Sequence, residues 1–111
     1  DEALQIDAAT RRNLELDVAT GEREDASLRV LLDTTMTAMG ARALRRLLNR
    51  PITDHATLRQ RFHAVRTLVD GRGYEPLREV LRGIGDIERI LSRVALRSAR
   101  PRDLAGLRLS L

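Results

Sequence analysis

The strongest constraint in this sequence is the spacing of its apolar residues. Leu58, Phe62, Val65 and Val69 recur every three or four positions, as do Leu77, Val80, Ile84, Ile87, Leu91 and Val94 and, near the end, Leu104, Leu107 and Leu111. At about 100° per residue each set lines one side of a helix, and no stretch alternates apolar and polar residues as a half-buried strand would. A chain patterned this way hides its apolar surface only by laying helix against helix. The fold class expected is all-α, a multi-helix bundle.

Punctuation divides the pattern. Asp7 is placed to cap a short helix reaching about Leu16, after a brief stretch at Leu4 to Ile6. Residues 19–27 (ATGEREDAS) are polar, charged and without apolar periodicity, so an exposed or disordered loop is expected there. Leu28 to Asp33 form an apolar turn. Thr34, Thr35 and Thr37 then precede a helix expected over Thr37 to Asn49, which Pro51 ends. On its apolar side, with Leu44, Leu47 and Leu48, lies Gly40. A glycine there lowers helix propensity by about 1 kcal/mol relative to alanine, so its expected use is to admit another backbone closely. Thr53 and Asp54 cap a second long helix to about Asp70, broken by Gly71 and Gly73. A third helical region opens at Glu75-Pro76 and runs to about Ala99, kinked or divided at Gly83 and Gly85, and a last helix begins at Pro101. A chain of 111 residues holds one such domain, spanning residues 1–111. Its apolar stripe is still running at Leu111, which suggests a piece of a longer chain.

Charge is segregated along this plan. All 20 basic residues are arginine; residues 1–36 hold 4 of them against 9 acids, a balance of −5, and residues 37–111 hold 16 against 7, a balance of +9. Arg82, Arg89, Arg93 and Arg97 fall opposite the apolar stripe of the third helical region, which makes them candidates for weak phosphate contacts. Tyr74 and Phe62 are the only aromatics, too few for a base-stacking surface. No apolar run nears the roughly 20 residues that cross a bilayer, and Asp1 through Asp7 lack the pattern of a signal peptide, so a soluble cytoplasmic protein with no membrane partner is expected.

Reactive constellations are lacking. Without cysteine there is no disulfide or thiolate metal site, and His55 and His63, eight residues apart, lie about 12 Å from one another along a helix. Gly83-x-Gly85 continues to Glu88 where a dinucleotide loop needs glycine, and a chain without lysine has no phosphate-loop GxxxxGK[ST]. Asp86 and Glu88, read as two positions apart on one helix, point about 200° away from each other and are not expected to share a site. Arg61 and Glu88 both fall at the edge of an apolar stripe. Buried charges are seldom left unpaired, so an interhelical Arg61–Glu88 ion pair that fixes register is the structural expectation. No catalytic, cofactor-binding or metal-binding residue is assigned.

Two stretches go beyond fold class. Leu32-Asp33-Thr34-Thr35-Met36-Thr37-Ala38-Met39-Gly40-Ala41-Arg42-Ala43-Leu44-Arg45-Arg46-Leu47-Leu48-Asn49-Arg50-Pro51 resembles the LDxTxTxMGxRxLRxWLxxP signature of the MutS DNA mismatch-repair proteins. Gly85-Asp86-Ile87-Glu88-Arg89-Ile90-Leu91-Ser92-Arg93-Val94-Ala95-Leu96, followed by Ala99-Arg100-Pro101-Arg102-Asp103-Leu104, is similar to the family's GDLERLLARLAL and ARPRDL runs, and Leu4 to Leu16 matches the start of the same region. Leu47 stands where the family usually has tryptophan, and Ala38 where proline is common. The resemblance implies the first part of the family's helical core, domain III, ending before the lever helices. It implies a parent that binds mismatched duplex DNA, hydrolyses ATP with Mg, and works as a homodimer. The mismatch-probing Phe-x-Glu motif and the ATPase site lie in other domains of such a parent, so this segment carries neither. Its implied role is structural, coupling those domains, which are its expected partners. The alternative is an autonomous arginine-rich helical DNA-binding module.

Overall fold

A computed structural model of the chain describes residues 3–17 and 27–111. Among them seven α-helices follow one another: α1 (Ala8–Asn13), α2 (Leu28–Leu32), α3 (Ala38–Asn49), α4 (His55–Asp70), α5 (Tyr74–Arg82), α6 (Ile87–Ala95) and α7 (Pro101–Ser110). The described residues contain no strand; Ala3 and Ile52 form an isolated antiparallel bridge, next to which the Leu4 amide donates to the Pro51 carbonyl at 2.7 Å. The all-α expectation holds. No helix of the described residues is long and apolar enough to cross a membrane.

Side chains at the helix starts explain where most helices begin. The Asp7 carboxylate accepts from the Thr10 amide at 2.6 Å, the Thr37 hydroxyl from Gly40 at 2.9 Å, Asp54 from Thr57 at 3.2 Å and Asp86 from Arg89 at 3.2 Å. Each satisfies a first-turn N–H that no helical carbonyl can reach. The ends owe less to glycine than the sequence suggested. Gly71 has an ordinary helical φ of −86°, and the left-handed turn after α4 is taken by Arg72 at φ 52°. Glu15 at φ 50° likewise stops α1 short of Leu16. Arg97 does the same after α6 at φ 56°.

Of residues 19–27, expected as an exposed loop, those up to 26 lie outside the described residues. Ser27 overturns the expectation at its own position: it is fully buried, and its hydroxyl caps α2 by accepting from Val30 at 3.3 Å. The backbone holds it there, because Leu28 donates to the Glu15 carbonyl at 2.8 Å and Arg29 to that of Leu16 at 3.0 Å. Leu16 is buried against this turn.

Apolar burial is sparse elsewhere. The chain exposes 9136 Å², against about 6,200 Å² for a compact protein of its mass. Its radius of gyration is 17.2 Å where about 13 Å is usual for this length. α2 packs on α3 and α6 on α7, but Phe62, Val65 and Val69 of α4 and Val80 of α5 face outward, Phe62 at 66% exposure. These are the stripes read in the sequence, correctly placed on one side of each helix and left uncovered here.

The one stripe that the structure rephases is the third. Its helix is divided at Gly83 to Asp86 into α5 and α6, and the residue buried on α6 is Ile90, 7% exposed, whereas Leu91 and Val94 are open. A 100° progression does not carry across four non-helical residues, so α5 and α6 carry separate faces; on α6, Ile90 stands beside Ile87 and Val94 at i+3 and i−4 and is the side chain that is covered. Ile90 lies over α7 beside Gly106, where an added Cβ would meet the Ile90 Cδ1 at 3.8 Å, an ordinary contact. Gly106→Ala is therefore expected to raise the thermal midpoint, gaining up to about 1 kcal/mol of helix propensity with no clash. A fall in the midpoint would show that α6 and α7 pack more closely than described.

Gly40 also has a different use from the one expected. A Cβ there would meet the Thr37 hydroxyl oxygen at 3.0 Å and the Thr35 Cβ at 3.4 Å. What comes close is the chain's own threonine-rich approach to α3, not a second helix backbone. The missing side chain lets Thr37 reach over the first turn as its cap.

Candidate coupling site

With so little apolar burial, polar ties carry much of the architecture, and they converge on α3. The capped start of α3 fixes the helical register, which sends the Arg42 side chain toward the loop before α6. Its guanidinium grips Asp86 with two parallel bonds, Nη1 to Oδ2 at 2.7 Å and Nη2 to Oδ1 at 2.6 Å. Glu88 joins them through Oε2, 2.8 Å from Nη2 and 3.3 Å from Nε. A planar fork matched to a carboxylate fixes direction as well as distance, which a point charge cannot do.

Asp86 serves two helices at once, holding Arg42 of α3 while capping α6. Its side chain is 19% exposed. The Arg42 hydrogen bonds lower its pKa from 3.8 to about 2, against an opposing effect of burial and with help from the Arg89 amide. The same bonds, Asp86 first and Glu88 second, push the Arg42 guanidinium further up its already high range.

Three further ties surround the same helix. Asp17 accepts from Arg29 of α2 at 2.6 Å and from Arg45 of α3 at 2.8 Å. Burial raises the Asp17 pKa, but the two arginines outweigh it and the net shift is downward. Arg11 of α1 closes the far end of α3, donating to the Asn49 side-chain and backbone oxygens at 2.6 Å each. Arg78 of α5 reaches the Thr34 carbonyl at 2.8 Å, in the approach that Asp33 shapes by accepting from the Thr35 amide and hydroxyl. Thus α1, α2, α5 and α6 are all referred to α3 or to the loop leading into it.

The lowered carboxylates set a pH dependence. A carboxyl whose folded pKa is depressed stabilises the fold fully above its unfolded value and progressively less as pH falls through the folded one. For Asp86 that window runs from about pH 4 down to about pH 2. Thermal midpoints measured across it are expected to fall with acidification, and Asp86→Asn is expected to start lower and fall less. A variant that fell as steeply as the parent chain would remove Asp86 from this account.

The structure redistributes the residues singled out in the sequence. Glu88 is ion-paired, but with Arg42; Arg61 has no ion pair among the described residues, so the expected Arg61–Glu88 bridge is not the one formed. Asp86 and Glu88, which the helical angle set apart, meet on one guanidinium. The angle fails because Asp86 has φ −81° and ψ 79° and lies outside the helix. Arg42 and Asp86 went unassigned as site residues, although an aspartate directly before Ile-Glu-Arg-Ile has the position of a helix cap. The arginine stripe is not a free cationic face: Arg82 pairs with Glu79 at 3.2 Å, Arg89 with Asp86 at 3.4 Å and Arg93 with Asp103 at 2.7 Å. Arg97 sits in the left-handed turn. His55 and His63 are exposed, and no metal-holding group of His, Cys, Asp and Glu occurs among the described residues.

A family model for domain III of MutS matches residues 9–111. The chain belongs to the MutS family. It is a domain III segment of a MutS-like mismatch-repair protein, and the two stretches that carried the resemblance are the two that Arg42 joins. In this domain III segment, Arg42 of the first motif meets Asp86 and Glu88 of the second across 44 to 46 residues of chain. The third run, Ala99 to Leu104, ties the other end of α6, where Arg93 lies in the last turn. The Asp103 carboxylate, buried, accepts from the Arg100 amide at 2.9 Å and from Arg93 of α6 at 2.7 Å, and these bonds hold its pKa down, the Arg100 amide foremost.

Proposed function

We propose that this domain III segment couples the moving parts of its parent, and that the Arg42–Asp86–Glu88 joint is the element through which it does so. The observation that carries the reading is that α1, α2, α5 and α6 are tied by directional polar bonds to α3, to the loop leading into it or to a shared Asp17, with little apolar packing to duplicate them. A set of rigid helices tied at few points transmits displacement through those points, as a relay between distant sites requires. The parent in this reading binds mismatched duplex DNA, hydrolyses ATP with Mg as a cytoplasmic homodimer, and does both in domains other than this one. The segment itself performs no chemistry.

The autonomous DNA-binding alternative draws less support, since Arg82, Arg89 and Arg93 already have carboxylate partners that a phosphate would have to displace. The test uses the intact parent protein carrying Arg42→Lys, which keeps the charge and loses the fork. Mismatched-duplex affinity and ATP binding are expected to persist, while the change in ATP turnover on adding mismatched DNA shrinks by roughly fivefold or more. An unaltered response in a folded variant would refute the coupling role.

A further inference from the structure

α7 runs back along α6 and meets it, or the loop before it, at three levels: Asp103 against Arg93, Gly106 beside Ile90, and Ser110 against Gly85. The last contact falls on the interruption that leads into the Arg42–Asp86–Glu88 joint. The Gly85 amide donates to Ser110 Oγ at 2.8 Å, and the same hydroxyl donates to the Gly106 carbonyl at 2.9 Å, one turn back in α7. A serine hydroxyl offers one proton and two lone pairs. The bond to Gly106 spends the proton and fixes the rotor, which leaves the lone pairs for Gly85. On its other side Gly85 is held as well, its carbonyl accepting from the Ile87 amide at 3.0 Å. With φ −81° and ψ 79° at the residue between them, this is an inverse γ-turn centred on Asp86. Asp86 thus sits at the apex of a tight turn with one end in α6 and the other pinned to α7.

We infer that Ser110 is a positioning residue for the joint: by holding Gly85 it sets the turn that presents Asp86 to Arg42, and so connects α7 to the helices gathered on α3. The direction of the Asp86 carboxylate, toward the Arg89 amide and the Arg42 guanidinium at once, follows from the conformation of that turn. A fork that uses both carboxylate oxygens is sensitive to small rotations of the residue that bears them. Contact at the pin is close, since a Cβ added to Gly85 would stand 3.3 Å from Ser110 Oγ. The purpose given to Ser110 rests on the coupling reading, whereas the link from Ser110 to Asp86 is measurable whether or not the joint relays motion in the parent.

Carbon-detected NMR titration of the Asp86 carboxyl in this chain tests the link, with hydrogen exchange at the Gly85 and Arg89 amides alongside. Arg42, Glu88 and Arg89 are the charged groups that meet at Asp86, and none of them is altered in the variants. In Ser110→Ala the Asp86 midpoint is expected to climb from about 2 toward its ordinary value by about half a unit or more, and exchange at Arg89 to quicken by roughly threefold or more. Ser110→Thr, which keeps the hydroxyl, is expected to match the parent chain. Ser110→Val, which has the shape of threonine without the hydroxyl, is expected to match Ser110→Ala, and this pair gives the answer if the alanine variant unfolds. Leu109→Ala, at the exposed neighbouring position, is expected to change neither reading. Faster exchange at Gly85 alone, with the Asp86 titration and the Arg89 amide unmoved, would overturn the proposal and leave Ser110 a local tie of α7. So would valine and threonine variants that behave alike. A moved Asp86 titration together with an unaltered response of the parent to Arg42→Lys would refute the coupling role and leave the positioning role of Ser110 standing.

Discussion

Asp86→Ala is expected to lower the stability of this domain III segment by about 2–4 kcal/mol, the loss of a helix cap together with charge-assisted bonds to a guanidinium. In a domain of this size that amounts to a fall of about 10 °C or more in thermal midpoint, read by far-ultraviolet circular dichroism. Few single carboxylates have such reach, and the reason lies in the position of Asp86. It ends the interruption between α5 and α6, starts α6, and holds Arg42 of α3 across 44 residues of chain. Asp86→Asn is expected to lie between the two, because an asparagine caps nearly as well but accepts only one bond of the fork. An Asp86→Ala midpoint within a degree or two of the parent would mean that α6 needs neither its cap nor its tie to α3.

The second large effect belongs to Ile90. Buried at 7% exposure against α7, it is expected to cost about 2–4 kcal/mol when cut to alanine. Leu91, its neighbour, is 52% exposed, and the same cut there is expected to change stability by no more than about 0.5 kcal/mol in this chain. The pair is informative because helical spacing alone ranks them the other way, with Leu91 on the stripe and Ile90 off it. Equal losses, or a larger loss at Leu91, would contradict the burial of Ile90 on α6.

That reversal shows where sequence reading is strong and where it stops. Helix starts at Ala8, Ala38 and His55 were legible within a residue because each is preceded by a side chain with one evident use, Asp7, Thr37 and Asp54. Helix ends were less legible. The left-handed turns at Glu15, Arg72 and Arg97 fall on residues that tolerate this conformation without advertising it, while the glycines that do advertise it, such as Gly71, are held in helical geometry. Faces were legible within a helix and illegible across a break. The site suffered from the same cause: Asp86, read on a helical wheel to which it does not belong, hides the convergence of Asp86 and Glu88 on Arg42, and stripe-edge position alone pairs Glu88 with Arg61 instead. The family motifs, by contrast, were legible without geometry. Only the structure explains why two stretches so far apart in sequence form one feature.

The apolar faces of α4 and α5 sharpen the same point. Phe62, Val65, Val69 and Val80 obey helical spacing as strictly as any core, yet are exposed in this segment. Spacing reports which face a helix would bury; it does not say what covers that face. Patches of this kind on a stable protein mark surfaces of contact.

The most direct test of that tie is a double-mutant cycle on Arg42→Ala and Asp86→Ala, followed by thermal stability and by hydrogen exchange at the Arg89 and Ile90 amides. If the fork joins α3 to α6, removing Arg42 from a chain that already lacks Asp86 costs far less than removing it from the parent, and each single variant loses first-turn protection in α6. If the two losses add, and α6 stays protected without Arg42, the helices are held by something else and the coupling joint does not exist.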